Sequence, residues 1–527
     1  MRTRLSPRSQ TWLLLGLVLM YALLAGGYFM LRYTGQWADS DTANLTMAAR
    51  GVQQEGRLVA KDEYRLGFAF PALTTTIAQV TGLSLTQLQL VVYPLLSASL
   101  ALLAFVTYRE FTGDLTAAAL GVLFLFMQPD FLFVILRGSH EKLTWLMQFL
   151  AFYLLARSLR AARAQRLGDF GANVGLLYLA VYGLIAGNAF FGSAFILAVG
   201  VSLLGGLFIL LWARGRSSRV AVTRLIYVAA AAMVIWVLHI FYLYPSAVFF
   251  LLNLRNTVER VGAVALGNVP ATDPYATIVW GWVSRSAYLA LVIPTFTMAG
   301  LSFLAWVGRG FGYLRGREYL ADELGTFLAW LLYGGFGLQM LVSLVLGRSG
   351  GVAVNLQLRY FPVLLMLGVP LVTNGLTQLW RRQFPRRGGR LLAVATALFV
   401  LWMSGASLLK ATNEPALSNY WMFWTRPEAA YVAWADGHLQ YRRIWLGLDG
   451  IRLSSQALIA GTGLQSGNVF DVSGVEPDTR DLIVSDVERN LSLRRFQTLP
   501  DVRGENRVYD NGPVAHYHMR PRTPYQP

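Results

Sequence analysis

Residues 11–41 read TWLLLGLVLMYALLAGGYFMLRYTGQWADSD, and this stretch decides the fold. Thr11 to Leu31 is uncharged, and about 20 such residues suffice to cross a bilayer as a helix. No small-residue cleavage site follows, so the run reads as a retained first span. Arg2, Arg4 and Arg8 precede it and place the N-terminus in the cytoplasm. The acids Asp39 and Asp41 then emerge on the outer side.

The rest of the chain repeats this pattern. Of 527 residues 55% are hydrophobic and 14% charged, whereas soluble domains carry about a quarter charged residues. The chain therefore reads as a polytopic α-helical membrane protein. The net charge of +17 does not indicate nucleic acid, because the arginines fall in short loops between spans. The absence of cysteine excludes disulfides and thiolate metal sites. Lysine is confined to Lys61, Lys142 and Lys410 while arginine is abundant, which points to a GC-rich bacterial genome and a plasma-membrane location.

About eleven spans are expected, near 11–32, 88–108, 115–128, 141–158, 172–187, 191–213, 223–246, 278–307, 323–347, 360–380 and 391–410. Alternate loops carry Arg109, then Arg157, Arg160, Arg163 and Arg166, then the clusters around 214–224, 309–317 and 381–390. Phe68 to Gly82 is apolar but too short to cross comfortably. If it did cross, every later arginine cluster would face outward, so it is expected to be a partly inserted helix of the first external loop, 33–87. The third and fifth spans are also short, and are expected to tilt into the protein or to face lipid only in part. Residues 1–410 form the membrane domain. Residues 411–527 lack a spanning run and carry strand-like Ile483–Val487 and Arg507–Tyr509 with a turn at Asp510-Asn511-Gly512, so they read as a small extracytoplasmic α/β domain.

The chemistry concentrates in the outward loops. After Asp41, the apolar positions Leu45, Ala48, Ala49, Val52 and Val59 fit one face of an interfacial helix. Two carboxylates one residue apart can present oxygens to a hard divalent cation such as Mg or Mn, or one can act as a general base. The alternative for Asp41 is a helix N-cap. Arg137-Gly138-Ser139-His140-Glu141-Lys142 lies between the third and fourth spans. Glu141, with His140, can join Asp39 and Asp41 in a metal site, or it can be an acid favoured by the dipole at a helix start. Arg348 and Arg359 flank a glycine pair, and a forked guanidinium suits a phosphate leaving group. The alternative is snorkelling to lipid headgroups. Arg255, Arg260 and Arg285 are further candidates, and His239, inside an apolar span, reads as structural.

One span, an acidic motif, an interfacial helix ending in Gly56-Arg57-Leu58, Phe70-Pro71 before a short apolar helix, and Gly82-Leu83-Ser84 together resemble the GT-C superfamily. These are membrane glycosyltransferases that use polyprenyl-phosphate sugars, among them the protein O-mannosyltransferases, arabinosyltransferases and oligosaccharyltransferases. The resemblance continues through Tyr108-Arg109-Glu110-Phe111-Thr112-Gly113, Pro129 and Arg359-Tyr360-Phe361-Pro362. It implies that Asp41 or Asp39 is the catalytic or metal-binding carboxylate, and that Glu141 belongs to a second acidic site. The Trp-Trp-Asp signature of the oligosaccharyltransferases is missing, since Tyr420-Trp421-Met422-Phe423-Trp424 lacks the acid, which disfavours Asn-linked protein glycosylation. The expected function is transfer of a sugar from a polyprenyl phosphate to a glycan, lipid or protein acceptor at the outer face. A lipid-linked glycan flippase, a glycan polymerase or ligase of another membrane fold, and an inactive GT-C-like scaffold are the alternatives.

Overall fold

A computed structural model of the chain describes residues 6–33, 40–58, 67–137, 140–212, 216–239, parts of 252–267, 285–315, 324–347, 353–383, 387–412, 425–439, parts of 443–489, and 501–519. Helix α1 (Pro7–Tyr33) starts where Ser6 Oγ accepts the Ser9 N–H at 3.1 Å and Pro7 fills the first helical position. Val18, Ala22, Ala25 and Phe29 face the protein, whereas Trp12, Leu13, Leu17 and Leu24 are exposed, as suits a lipid-facing stripe.

The segment after α1 contributes α2 (Ser40–Glu55) and α3 (Ala69–Thr81). Thirteen residues of α3 span about 20 Å at 1.5 Å per residue, short of the roughly 30 Å hydrocarbon core. Next, α4 (Leu85–Thr112) carries a π-turn over Leu88–Val92 just before Pro94, where the ring removes a donor. Gly113, at φ 67°, ends it, and Asp114 Oδ1 caps α5 (Leu115–Phe126) by accepting the Ala117 N–H at 2.9 Å. Helix α6 (Pro129–Leu136) leaves α5 at 72°. There follow α7 (Glu141–Arg163), α8 (Leu167–Gly187), α9 (Ala189–Trp212), α10 (Arg216–Leu238), α11 (Arg285–Leu314), α12 (Leu324–Gly347), α13 (Ala353–Gln383) and α14 (Arg387–Ala411).

A helix occurs at each of the eleven expected spans. Eight of those described are long and apolar enough to cross a membrane, and the bent pair α5–α6 makes a ninth. The fifth expected span, α8, is one of the eight. In α10 only Thr223–Leu238 is apolar, and α7 carries too many polar groups along its length. One continuous core runs through the bundle. Helix α7 packs on α8, α12 on α13, α9 on α10 and α12, and α5 on α1, α4 and α13. Ala117 to Phe126 of α5 are all buried, so the short third span is turned into the protein.

The two ends of the bundle differ in charge. At one end Glu110 pairs with Arg160 at 3.0 Å and Arg157 at 3.8 Å, and Asp114 pairs with Arg381. These are residues of the loops expected on a common side. At the opposite end lie the start of α7 and the Lys410–Asp130 pair at 3.1 Å.

After α14, α15 (Arg426–His438) packs on a mixed sheet with strand order β2-β1-β3-β5-β4. The strands are β1 (Arg443–Leu446), β2 (Gln465–Asn468), β3 (Asp481–Ser485), β4 (Asn506–Asp510) and β5 (Val514–His518). Strand β1 runs parallel to β2 and β3, and β5 runs antiparallel to β3 and β4. The expected turn forms, with Gly512 at φ 88° and its N–H donating to Asp510 Oδ1 at 2.8 Å. Inside the domain, Asp481 Oδ1 accepts from His516 Nε2 at 3.0 Å and His518 Nδ1 at 3.1 Å, while Tyr431 Oη meets His516 Nδ1 at 3.0 Å.

Candidate functional site

The candidate site is built where the segment between α1 and α4 meets the starts of α7, α9 and α13. Helix α2 has the expected amphipathic face. Leu45 and Ala49 are buried with Phe70 and Ala78 of α3 and Leu85, Leu88 and Tyr93 of α4, whereas Gln53, Gln54 and Glu55 are exposed. Buried polar groups pin it in place. Thr75 donates to the Ala49 carbonyl at 3.0 Å, and Gln89 Nε2 donates to Thr46 Oγ1 at 2.7 Å. Leu143 of α7 packs against the same cluster, and the Lys142 ammonium lies 5.9 Å from the Tyr93 ring. The start of α2 and the start of α7 therefore share one apolar support.

Asp41 lies in the first turn of α2, beside the buried Thr42. The helix already includes Ser40, so Asp41 is not the N-cap but stands where the helix dipole still favours an acid. Its side chain, Asp39 and Arg348 lie outside the described residues, as do Arg442 and the 268–284 part of the later loop. Arg255, one of the further arginine candidates, is bonded to Glu259 at 2.7 Å on an exposed turn.

Glu141 opens α7 and is only 5% exposed. A buried carboxylate needs compensation. It lies 3.7 Å from Arg137 Nη2 and 3.5 Å from His140 Nδ1, and the charge of Arg359 also acts on it. Arg137 stacks over Phe133, with its guanidinium carbon 4.9 Å from the ring centre. Arg359 stacks over Phe190 at 5.7 Å. Helix α13 begins at Ala353, so Arg359 sits in its second turn, at the start of the stretch Arg359–Arg382 that is long and apolar enough to cross a membrane. Tyr360 beside it packs its ring 5.3 Å from Phe190 and donates to Gln339 Oε1 at 3.2 Å, tying α13 to α9 and α12.

The His140-Glu141 pair and Arg359, singled out from two separate stretches of the sequence, are thus brought together. Sequence reasoning missed Asn188 and Phe190 and treated Arg137 as an interface charge. The signal was a lone amide in an otherwise apolar turn between two spans. His239 is packed between Phe68, stacked at 5.7 Å, and Tyr182, edge-on at 5.3 Å, as a structural residue would be.

Around Glu141 the described residues do not fit a divalent cation. The carboxylate already faces two guanidinium groups, and a hydrogen bond from Asn188 occupies His140 Nε2. No three His, Asp or Glu side chains gather as ligands among the described residues. What the arrangement offers instead is one carboxylate facing two guanidinium groups, an excess of positive charge with N–H groups able to receive an anion such as a phosphate.

No protein-family model matches the chain, and no curated protein matches it. Solved structures do. An archaeal oligosaccharyltransferase, AglB from Archaeoglobus fulgidus, in complex with an inhibitory peptide and a dolichol-phosphate, superposes with a TM-score of 0.52 at 11% identity, over 97% of this chain and 74% of that one. The same enzyme in complex with Zn and sulfate gives 0.51 at 11% identity, over 95% and 73%. ArnT from Cupriavidus metallidurans bound to undecaprenyl phosphate gives 0.48 at 15% identity, over 95% and 98%. The chain has the GT-C fold, in agreement with the resemblance carried by its motifs.

Proposed function

We propose that the chain is an integral-membrane glycosyltransferase that moves a sugar from a polyprenyl phosphate to a glycan, lipid or protein acceptor. Transfer takes place at the outer face of a bacterial plasma membrane, with the N-terminus in the cytoplasm and the 411–527 domain outside. One observation carries the reading. Arg359 and Glu141, on helices far apart in sequence, share one charged neighbourhood beside helix α2, whose first turn holds Asp41. The fold, which AglB also has, supports it.

In the proposed reaction the Asp41 carboxylate takes the proton from the acceptor hydroxyl as its oxygen attacks the anomeric carbon. The bond from that carbon to the phosphate oxygen breaks with inversion, and its electron pair leaves on the phosphate. Arg359, supported by its Phe190 platform, neutralises the departing anion through paired N–H bonds. No step is routed through a metal. The acid at the first turn of α2 and the guanidinium at the start of α13 divide the two ends of the displacement between them.

The test is transfer from a polyprenyl-phosphate sugar, in bilayers, against a panel of acceptors. Asp41→Asn should insert and fold normally and lose transfer by about 10²-fold or more, the low end for a general base. Arg359→Lys should raise the donor KM about tenfold or more, since charge-assisted bonds contribute roughly 1.5–3 kcal/mol and an ammonium cannot form the fork. Wild-type turnover by Asp41→Asn removes the base. No transfer by the wild type with any donor, together with movement of the donor across the bilayer, replaces the enzyme with a flippase.

A further inference from the structure

We propose that Asn188 is a positioning residue of this site, fixing the tautomer of His140 and the platform of Arg359 with one side chain. The proposal rests on the glycosyltransferase reading only for its effect on turnover. Its structural half stands without it.

Asn188 occupies the break between α8 and α9, in extended backbone at φ −160°, with its N–H still bonded to the Leu184 carbonyl at 2.9 Å. The side chain is wholly buried. Its Oδ1 accepts the backbone N–H of Phe190 at 3.0 Å. A backbone N–H only donates, so this bond fixes which end of the amide is oxygen. The other end, Nδ2, then faces His140 Nε2 in hydrogen-bond contact. An amide nitrogen only donates, so Nε2 must carry the lone pair. Neutral His140 is therefore the Nδ1–H tautomer, and that nitrogen looks at Glu141 Oε2 from 3.5 Å. The ring turns its proton toward the buried carboxylate and its lone pair away from it.

The second arm runs through Phe190. The bond that orients the amide also fixes the first residues of α9, and the Phe190 ring is the surface on which Arg359 and Tyr360 rest. Gly67 closes the same place from the first external loop. A Cβ there would come 2.3 Å from the Gly187 carbonyl oxygen, immediately before Asn188. Asn188 thus joins the imidazole neighbour of Glu141 to the support of Arg359, two groups with no sequence proximity.

The experiment reads the tautomer directly. The full chain, labelled with [15N]histidine and placed in lipid nanodiscs, carries five histidines, and a His140→Gln sample identifies the signal of interest. The wild type should show His140 as Nδ1–H near pH 7. In Asn188→Asp the new carboxylate only accepts, so His140 should turn to a protonated Nε2. In Asn188→Ala the preference for Nδ1–H should be lost. Asn188→Ala should also raise the donor KM more than it lowers kcat, because the Phe190 N–H loses its acceptor under Arg359, whereas Asn188→Asp keeps an acceptor oxygen there and should change KM less. A wild-type His140 protonated at Nε2, or a tautomer unchanged in both variants, overturns the proposal. The wild-type measurement decides the first point even where a variant does not fold. The Nδ1–H tautomer in a wild type that transfers no sugar keeps the positioning and sinks the glycosyltransferase reading instead.

Discussion

Replacing Glu141 by Gln separates a counter-ion from a catalyst. The carboxylate is 3.7 Å from the Arg137 guanidinium, with side-chain exposures of 7% and 17%, so water screens the pair poorly. At an effective dielectric constant of about 20 the attraction at that distance is about 4 kcal/mol. Gln keeps the volume but removes the anion on which both Arg137 and Arg359 act. Losing one partner of a buried pair costs roughly 3–5 kcal/mol, mostly from the charge left behind. Glu141→Gln should therefore lower the thermal midpoint of the protein in bilayers by several degrees. It should reduce transfer chiefly through donor KM, since Arg359 loses its orientation. Adding Arg137→Gln removes one of the stranded charges, so the double variant should recover about 1–2 kcal/mol relative to additivity, the range for contacting residues. An unchanged midpoint together with a loss of kcat by about 10³-fold would mean that Glu141 acts on the reacting atoms, in the range of acid–base catalysis, and the counter-ion argument would fall.

Gly67→Ala forces a Cβ into the Gly187 carbonyl; overpacking of this kind costs about 1–3 kcal/mol, so the variant should lose stability and transfer together. Gly51→Ala, in helix α2 with open space at its Cβ, should be neutral or stabilising by up to about 1 kcal/mol, and thermal midpoints of the two check the contrast. In the C-terminal domain, burial would raise the Asp481 carboxyl, but hydrogen bonds from His516 and His518 outweigh it and hold the group below its ordinary 3.8. The unfolded chain then binds that proton first, so the stabilisation is complete above about pH 4 and is lost as pH falls through the native value. Protease resistance of the 425–519 segment in the full chain should drop on acidification below pH 4, and Asp481→Asn should flatten that dependence and cost about 2 kcal/mol at neutral pH, the scale of hydrogen bonds to a charge. Any Mg or Mn requirement seen after EDTA treatment should be abolished by Asp39→Asn or Asp41→Asn and kept by Glu141→Gln, since the Glu141 carboxylate stands among cationic groups; loss of the requirement in Glu141→Gln alone would return Glu141 to the ligand set.

The membrane region was legible because lipid imposes a length and a composition on each span. Thr11–Leu31 and the later runs had to be apolar, and arginine phase did the rest. Helix ends were less legible. Helix α13 starts at Ala353 and not near 360, because a helix can continue past the apolar zone that hydropathy detects. The 72° bend between α5 and α6 was not foreseen, although Pro129 stands at the first position of α6, where Phe131 stacks on Trp145 at 4.9 Å. In the sheet, β5 was hidden because His516 occupies an inward position where alternation expects an apolar residue, and its bonds to Asp481 and Tyr431 make that burial tolerable. Glu141, His140 and Arg359 stood out as charge where charge is costly. Asn188 did not, since one amide in a turn has no periodicity and its role exists only once His140 and Phe190 lie on either side of it.

At each end of helix α7 a glutamate meets two arginines, and the comparison tells a fastening from a site. At the Glu110 end Arg160 closes to 3.0 Å on the carboxylate, donates again to the Glu110 carbonyl at 2.7 Å, and remains 41% exposed with Arg157 at 43%. Those arginines keep contact with water while joining α4 to α7, so the set costs little and locks two helices. At the Glu141 end Arg137 is 17% exposed, the ion-pair contacts are 3.5–3.7 Å, and the second guanidinium arrives from a distant helix. Burying charge while leaving the contacts long gives up the return that normally justifies burial. One carboxylate among two guanidinium groups leaves one positive charge over, and under the proposed function the donor phosphate would supply the missing anion. Under the proposed function, the long contacts at Glu141 leave guanidinium N–H groups to bind that phosphate.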